Sequence, residues 1–177
     1  QLVAGVDPGV VASQSGRYFG FVVGASLPSA LAADWLVSTW DQNLGLVALR
    51  PSALLVENTA GAWTKDLLGI PADASFAFVT GCQTAHFTCL AAARQHILAE
   101  AGWDLVEDGL PGAPPIRVLV GAMRHSTIDR ALRYLGIGQS QIRVVDSLTD
   151  GRMDPDALRA ALAEQDGPTI VCVQAGE

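Results

Sequence analysis

The residues with usable chemistry gather where an apolar run stops and a helical pattern begins. The first such place is Thr80-Gly81-Cys82-Gln83-Thr84. A short apolar run ends there, a glycine turns the chain, and an Ala-rich helical pattern starts. The first turn of a helix leaves its N–H groups unpaired and carries the positive end of the macrodipole, so such a turn suits a phosphate or another anion. Gly81 lets the backbone approach that anion closely. The signal is weak alone, because every strand-to-helix turn shares part of it. Neither a Walker pattern nor G-x-G-x-x-G accompanies it, which disfavours an ATPase or a dinucleotide enzyme. The pair Gly136-Ile137-Gly138 closes a helix instead of opening one.

His125 follows the apolar run 116–120 at its carboxyl end and stands directly before the helical pattern that begins with Ser126 and Thr127. It reads either as an exposed loop histidine beside a helix cap or as a ring turned toward a ligand. Cys82, His86 and Cys89 fall at i, i+4 and i+7 of one helical pattern. An i, i+4 pair suits zinc, but the third residue lies too far along the axis to close the same tetrahedron. No metal site is expected, and Cys89 reads as a small core residue. Lys65 is the one lysine in the chain and so the one amine able to form a Schiff base. It falls inside a helical pattern, far from any expected strand end, and reads as a solvated helix residue. Arg124, Arg130 and Arg133 read as a solvated helix face.

Composition narrows the class. Half of the 177 residues are hydrophobic, 16% are charged, and the net charge is −7. Such a chain expects a large core and is not disordered. It has too little basic charge to bind nucleic acid through phosphates, and no polybasic run suits a membrane surface. Mean hydropathy is +0.31, so a membrane span has to be considered. The longest stretch without Asp, Glu, Lys or Arg is residues 74–93. Its length suits a span, but Thr80, Gly81, Gln83, Thr84, His86 and Thr88 occupy its middle, and a strand running into a helix explains it better. No basic segment followed by an apolar core opens the chain, so no signal peptide is expected. Three cysteines do not make a disulfide framework, and a reducing, cytoplasmic setting follows. The excess of arginine and alanine over lysine is what GC-rich coding produces.

These residues must be positioned by alternating elements. Residues 1–17 read as irregular. Helices are expected over 28–46 and 51–68, each opened by a proline, the second closed by Gly69 and Pro71. Further helices are expected over 82–101, 126–135 and 154–163, with Asp154 as N-cap and Pro155 in the first turn. Strands are expected over 75–80, 116–120, 142–145 and 169–173, and a Gly- and Pro-rich loop over 104–115. Alternating strands and helices imply an α/β fold with a mainly parallel sheet covered on both faces. Ligands in such folds bind beyond the carboxyl ends of the strands, which points to 81–84, 121–125, 146–149 and 174–177.

Taken in order, these segments resemble the pyridoxal-phosphate-dependent group II amino-acid decarboxylases, which include aromatic-amino-acid and glutamate decarboxylases. Four stretches carry the likeness. The first is Arg17-Tyr18-Phe19-Gly20-Phe21 with Leu27-Pro28 and Leu31-Ala32-Ala33-Asp34-Trp35-Leu36. The second is Trp40-Asp41-Gln42-Asn43 with Pro51 and Val56-Glu57. The third is Val79-Thr80-Gly81-Cys82-Gln83-Thr84-Ala85 with Ala91-Ala92-Ala93-Arg94. The fourth is His125-Ser126-Thr127-Ile128 with Arg130-Ala131-Leu132. The resemblance implies the aspartate-aminotransferase-like fold (fold type I) and a homodimer. It divides the chain into an N-terminal segment with two helices on the dimer side, 1–70, and the first part of the cofactor-binding α/β large domain, 71–177. It implies that Gly81, Cys82 and Gln83 hold the phosphate of pyridoxal 5'-phosphate and that His125 stacks on its ring. Phe21, Gly24 and Asn43 fall on the substrate side. The activity implied is a carboxy-lyase that turns an L-amino acid into an amine and CO2.

The departures are local, and one is large. Gly81-Cys82 stands where the family often has Gly-Gly or Ser-Ala, position 86 is His where Asn or Thr is usual, and position 177 is Glu where bacterial relatives tend to have Asn. The family's Schiff-base lysine and the aspartate paired with the pyridine nitrogen lie downstream of these residues. Lys65 matches neither in place or context. The chain is therefore expected to be a fragment with no catalytic residue of its own and no activity alone. Another fold type I pyridoxal-phosphate enzyme, or a non-catalytic binding or dimerisation module, are the other readings.

Overall fold

A computed structural model of the chain describes residues 1–21, 26–164 and 166–175. They form two compact units, Gln1–Phe76 and the residues from Ala77 onward.

The first unit is helical. Helix α1 is a short turn, Leu2–Val6, continued by a 3-10 turn over Asp7–Gly9, where irregular chain was expected. Helix α2 runs Pro28–Trp40 and α3 runs Pro51–Leu68. Each begins with proline, whose fixed φ suits the first helical turn and whose missing N–H costs nothing there. Helix α3 has the expected bounds and ends on Gly69 at φ +65, a left-handed closure that glycine adopts without a Cβ penalty. Helix α2 stops six residues short of the expected end. Asp41 takes a left-handed conformation at φ 45 and its N–H returns to the carbonyl of Val37, a local closure open to short polar residues.

Residues 75–80 do not form the expected strand. Among the described residues no ladder involves them. The Phe76 ring lies against Gly61 of α3 instead, in the space a Cβ would need. An apolar aromatic run has the side chains of a strand, but a strand exists only through hydrogen bonds to a neighbouring backbone.

The second unit is a layered α/β structure. Helix α4 spans Gly81–Glu100 and α5 is a single turn, Leu105–Asp108, inside the expected loop. Strand β1 follows at Arg117–Gly121, then α6 at Ser126–Tyr134, β2 at Ile142–Val145, α7 at Pro155–Ala163 and β3 at Thr169–Cys172. The sheet is parallel with order β2-β1-β3. Val118 aligns with Ile142 on one side and with Ile170 on the other.

The central strand explains the core. Successive side chains of a strand point to opposite faces. Val118 and Val120 pack with Leu90, Leu98, Ala131 and Leu132 of α4 and α6. Leu119 joins Val145 and Ala161 in a second cluster with Leu158 of α7. Helices cover both faces of β1, which is why its sequence is apolar without alternation. Side chains also tie the layers. Arg94 donates to the carbonyl of Leu135 at the end of α6 (2.6 Å), and Gln141 donates to that of Ile116 ahead of β1 (2.9 Å).

Candidate functional site

Helix α4 enters without a side-chain cap. The side chain of its N-cap Thr80 accepts no first-turn amide; the Thr84 hydroxyl donates to the Thr80 carbonyl at 2.9 Å, and the Gly81 N–H donates to the Val79 carbonyl at 2.9 Å. The N–H groups of Cys82 and Gln83 in the first turn of α4 have no side-chain cap. Gly81 sits at φ +77, and nothing lies within 4 Å of where its Cβ would be. A side chain there would be strained by the backbone and would stand in the approach to the helix end.

Helix α6 begins on His125, which is its N-cap. The Nδ1 of His125 accepts from the Thr127 N–H at 3.3 Å and lies 2.9 Å from the Thr127 hydroxyl. Thr127 is buried, and His125 remains exposed.

Three side-chain contacts bring the entries of α4 and α6 together. His86 Nδ1 lies 2.8 Å from the Thr127 hydroxyl. Gln83 Nε2 donates to the Thr127 carbonyl at 3.3 Å, and Arg130 donates to Gln83 Oε1 at 3.2 Å. Gln83 and His86 are three residues apart on α4, and Thr127 and Arg130 three apart on α6, so each pair shares a face. The amide of Gln83 is thus engaged by α6, and its backbone N–H is what it can offer an anion. Cys82 is exposed beside it.

The other expectations are corrected or placed as follows. Cys89 is exposed rather than in the core, because α4 turns Leu90 and Leu98 inward. Lys65 is half-buried rather than solvated. Its ammonium donates to the carbonyls of Ala72 (2.5 Å) and Ala74 (2.9 Å) and stands 5.7 Å from the centre of the Phe76 ring. Arg130 and Arg133 are exposed as expected, Arg130 also reaching Gln83, whereas Arg124 is half-buried and pairs with Asp129 at 2.9 Å. Phe21 and Asn43 belong to the first unit. Phe21 is 93% exposed at φ 54, and Asn43 accepts from the Gly45 N–H at 2.8 Å. Gly24 lies outside the described residues. Sequence reasoning passed over Thr127 and Arg130 as site residues. Their spacing from His86 and Gln83 carries no signal along the chain, because the pairs are more than forty residues apart.

Beyond the carboxyl ends of the strands lies a cleft of about 620 Å³, lined by Gly121, Met123, Arg152, Met153, Val173 and Gln174 among others. The residues after all three strands therefore converge, as the parallel sheet requires. Arg152 bonds to Asp150 on its rim and holds that carboxyl below the usual carboxylate range. Among the described residues no cluster of His, Cys, Asp and Glu is placed to hold a metal ion, and no helix is long and apolar enough to cross a membrane.

Comparison with known proteins gives the fold a family. The pyridoxal-dependent decarboxylase conserved domain matches residues 3–176. The L-2,4-diaminobutyrate decarboxylase of Rhizobium meliloti is 31% identical over 151 residues, which cover 83% of this chain and 28% of that protein. Tryptophan decarboxylase 1 of Oryza sativa is 28% identical over 195 residues, covering 99% of this chain and 37% of that protein. The solved structure of Oryza sativa TDC with PLP and tryptamine superposes with a TM-score of 0.82 at 24% identity, covering 97% of this chain and 39% of that one. The chain thus spans about a third of the length of the relatives it matches, and its fold is part of the fold type I large domain with the helical segment that precedes it. The uncapped, glycine-led entry of α4, the histidine at the entry of α6 and a domain match over nearly the whole chain agree: the chain belongs to the pyridoxal-dependent decarboxylase family.

Proposed function

We propose that these residues are part of a pyridoxal-phosphate-dependent decarboxylase, a carboxy-lyase that converts an L-amino acid to an amine and CO2. The observation that carries the reading is the open N-terminus of α4 at Gly81, joined through Thr127 to His125. The residues present fit the cofactor. The backbone N–H groups of Cys82 and Gln83, with the macrodipole behind them, suit a phosphate dianion, while Gly81, whose own N–H donates to the Val79 carbonyl at 2.9 Å, offers a turn without a side chain. The missing side chain of Gly81, with nothing within 4 Å of where a Cβ would stand, keeps the approach clear. His125 is exposed at the neighbouring helix entry, with one ring edge held by Thr127, and so presents a fixed aromatic face for a pyridine ring to stack on. Bound pyridoxal phosphate supplies the electron sink that loss of CO2 from an amino acid requires.

No catalytic residue is assigned within this chain. Lys65, the sole lysine, holds two carbonyls as an ammonium. The amine that binds the cofactor and the acid that pairs with its ring nitrogen belong to other residues of the whole protein. Residues 71–177 are the first part of the cofactor-binding domain and 1–70 the N-terminal segment. Phe21, Gly24 and Asn43 fall on the substrate side. The helices of the first unit pack on the partner of a homodimer, and the protein works in the cytoplasm.

The test uses the full protein with pyridoxal phosphate and a panel of aromatic, acidic and diamino L-amino acids. CO2 release from at least one, with Gly81→Val weakening cofactor binding by about tenfold or more (a loss of about 1.4 kcal/mol), is the expected result. Keto-acid formation without CO2 would reassign the protein to an aminotransferase-like reaction. Absence of cofactor binding would leave a non-catalytic module.

A further inference from the structure

We infer that Thr127, through its backbone N–H and its hydroxyl, holds His125 in a single tautomer with the ring proton on Nε2, and that His86 is a positioning residue that reinforces this direction by donating to the hydroxyl. The inference comes from counting protons in one small network. The Thr127 N–H points at Nδ1 of His125 from 3.3 Å, so that nitrogen presents its lone pair. The Thr127 hydroxyl is 2.9 Å from the same Nδ1. A hydroxyl has one proton and accepts on its lone pairs. If that proton pointed at His86 instead, two lone pairs would face each other across 2.9 Å. The proton therefore goes to His125, and the Thr127 oxygen accepts from Nδ1–H of His86 at 2.8 Å.

The order of donation is then unique: His86 to Thr127 to His125. With Nδ1 of His125 accepting, its neutral ring carries the proton on Nε2. Thr127 is only 8% exposed, so water does not substitute for the His86 donor easily. Gln83 holds the Thr127 carbonyl from the same face of α4, which keeps the hydroxyl in register with His86. Position 86 is thus more than a helix residue. It supplies a donor to a buried hydroxyl, and an asparagine amide at that position supplies one too.

The consequence for the cofactor rests on the decarboxylase reading: the ring on which pyridine stacks presents the Nδ1 lone pair to Thr127 at one edge and offers Nε2–H at the other. The tautomer itself does not depend on that reading and is measured without cofactor. In the full protein labelled with 15N-histidine, above the ordinary titration range of histidine, the His125 signals should be pyridine-like for Nδ1 and pyrrole-like for Nε2. Nδ1 of His86 should be pyrrole-like. His86→Phe and Thr127→Val leave the Thr127 N–H in place but remove the hydroxyl donation, so each should move both His125 signals part of the way toward the average of exchanging tautomers, and His86→Asn should restore them. A pyrrole-like Nδ1 on His125 in the unaltered protein would overturn the inference, and needs no variant to fold. So would His125 signals unchanged in both His86→Phe and Thr127→Val. Failure of cofactor binding or CO2 release, by contrast, overturns the decarboxylase reading and leaves these spectra as they are.

Discussion

Lys65 shows how surroundings decide what a reactive side chain does. Schiff-base chemistry needs a free, deprotonated amine at the reacting carbonyl. Here the ammonium donates to the carbonyls of Ala72 and Ala74 and lies over the Phe76 ring. Both carbonyls follow the end of α3, so the lysine pins the returning chain to its own helix. Hydrogen bonds from a charged donor at a half-buried site contribute about 1–2 kcal/mol together. Lys65→Met should therefore lower unfolding stability by about that amount in urea titration, with cofactor affinity of the full protein unchanged. A variant as stable as the parent, or one that loses cofactor, would contradict this role. Gly81 is the opposite case. Its value lies in having no side chain, at a backbone angle of +77 and before a helix end left open.

Among the elements, α3 shows packing overruling propensity. Gly61 is its one buried residue, and the Phe76 ring occupies the position of the missing Cβ. At an exposed helix position, replacing glycine by alanine gains about 1 kcal/mol. At Gly61 that gain should be cancelled, because Phe76 must leave and Lys65 loses its ring contact. Thermal melts of Gly61→Ala, Phe76→Ala and the double variant test this. The double variant should recover the alanine gain relative to Phe76→Ala alone, a coupling typical of residues in contact. Additive effects would show that the ring and the glycine do not interact. Elements opened and closed by local chemistry were legible from their residues. Helix α3 lies between Pro51 and Gly69, and α7 starts on Asp154, whose carboxylate accepts from Asp156 and Ala157. Residues 75–80 were not, because their apolar pattern is shared by a strand and by a segment that lays one ring on a helix.

At the scale of the molecule, the two units differ in what they bury. The second encloses Val118, Leu119 and Val120 between layers of helix. In the first, α2 buries nothing and α3 buries only Gly61. Trp35, Trp40 and Trp63 are each exposed by more than 60%. Apolar surface of this kind marks a site of association, which is what the proposed homodimer supplies. The double variant Trp35→Glu, Trp63→Glu should weaken self-association of the full protein by tenfold or more, about 1.4 kcal/mol, read by light scattering against concentration. An unchanged dissociation constant would place the interface elsewhere.

The sequence by itself determined the alternation of helices and strands, the parallel sheet, the glycine-led entry of α4 and the histidine before α6. Each of these is written in neighbouring residues: a proline or aspartate that opens a helix, a glycine that turns, an apolar run too continuous for a sheet with one wet face. The resemblance carried by residues 17–177 already pointed to the decarboxylase family, which the domain match over residues 3–176 establishes. Only the tertiary structure decided who touches whom. His86, which looked like a departure at one position of a helix, meets Thr127 across 41 residues and through it reaches His125. Lys65, which looked solvated, closes a turn. Hydrogen bonds are directional and act over about 3 Å, so their partners are fixed by how α4 packs on α6 over the sheet, and that packing depends on the whole core at once.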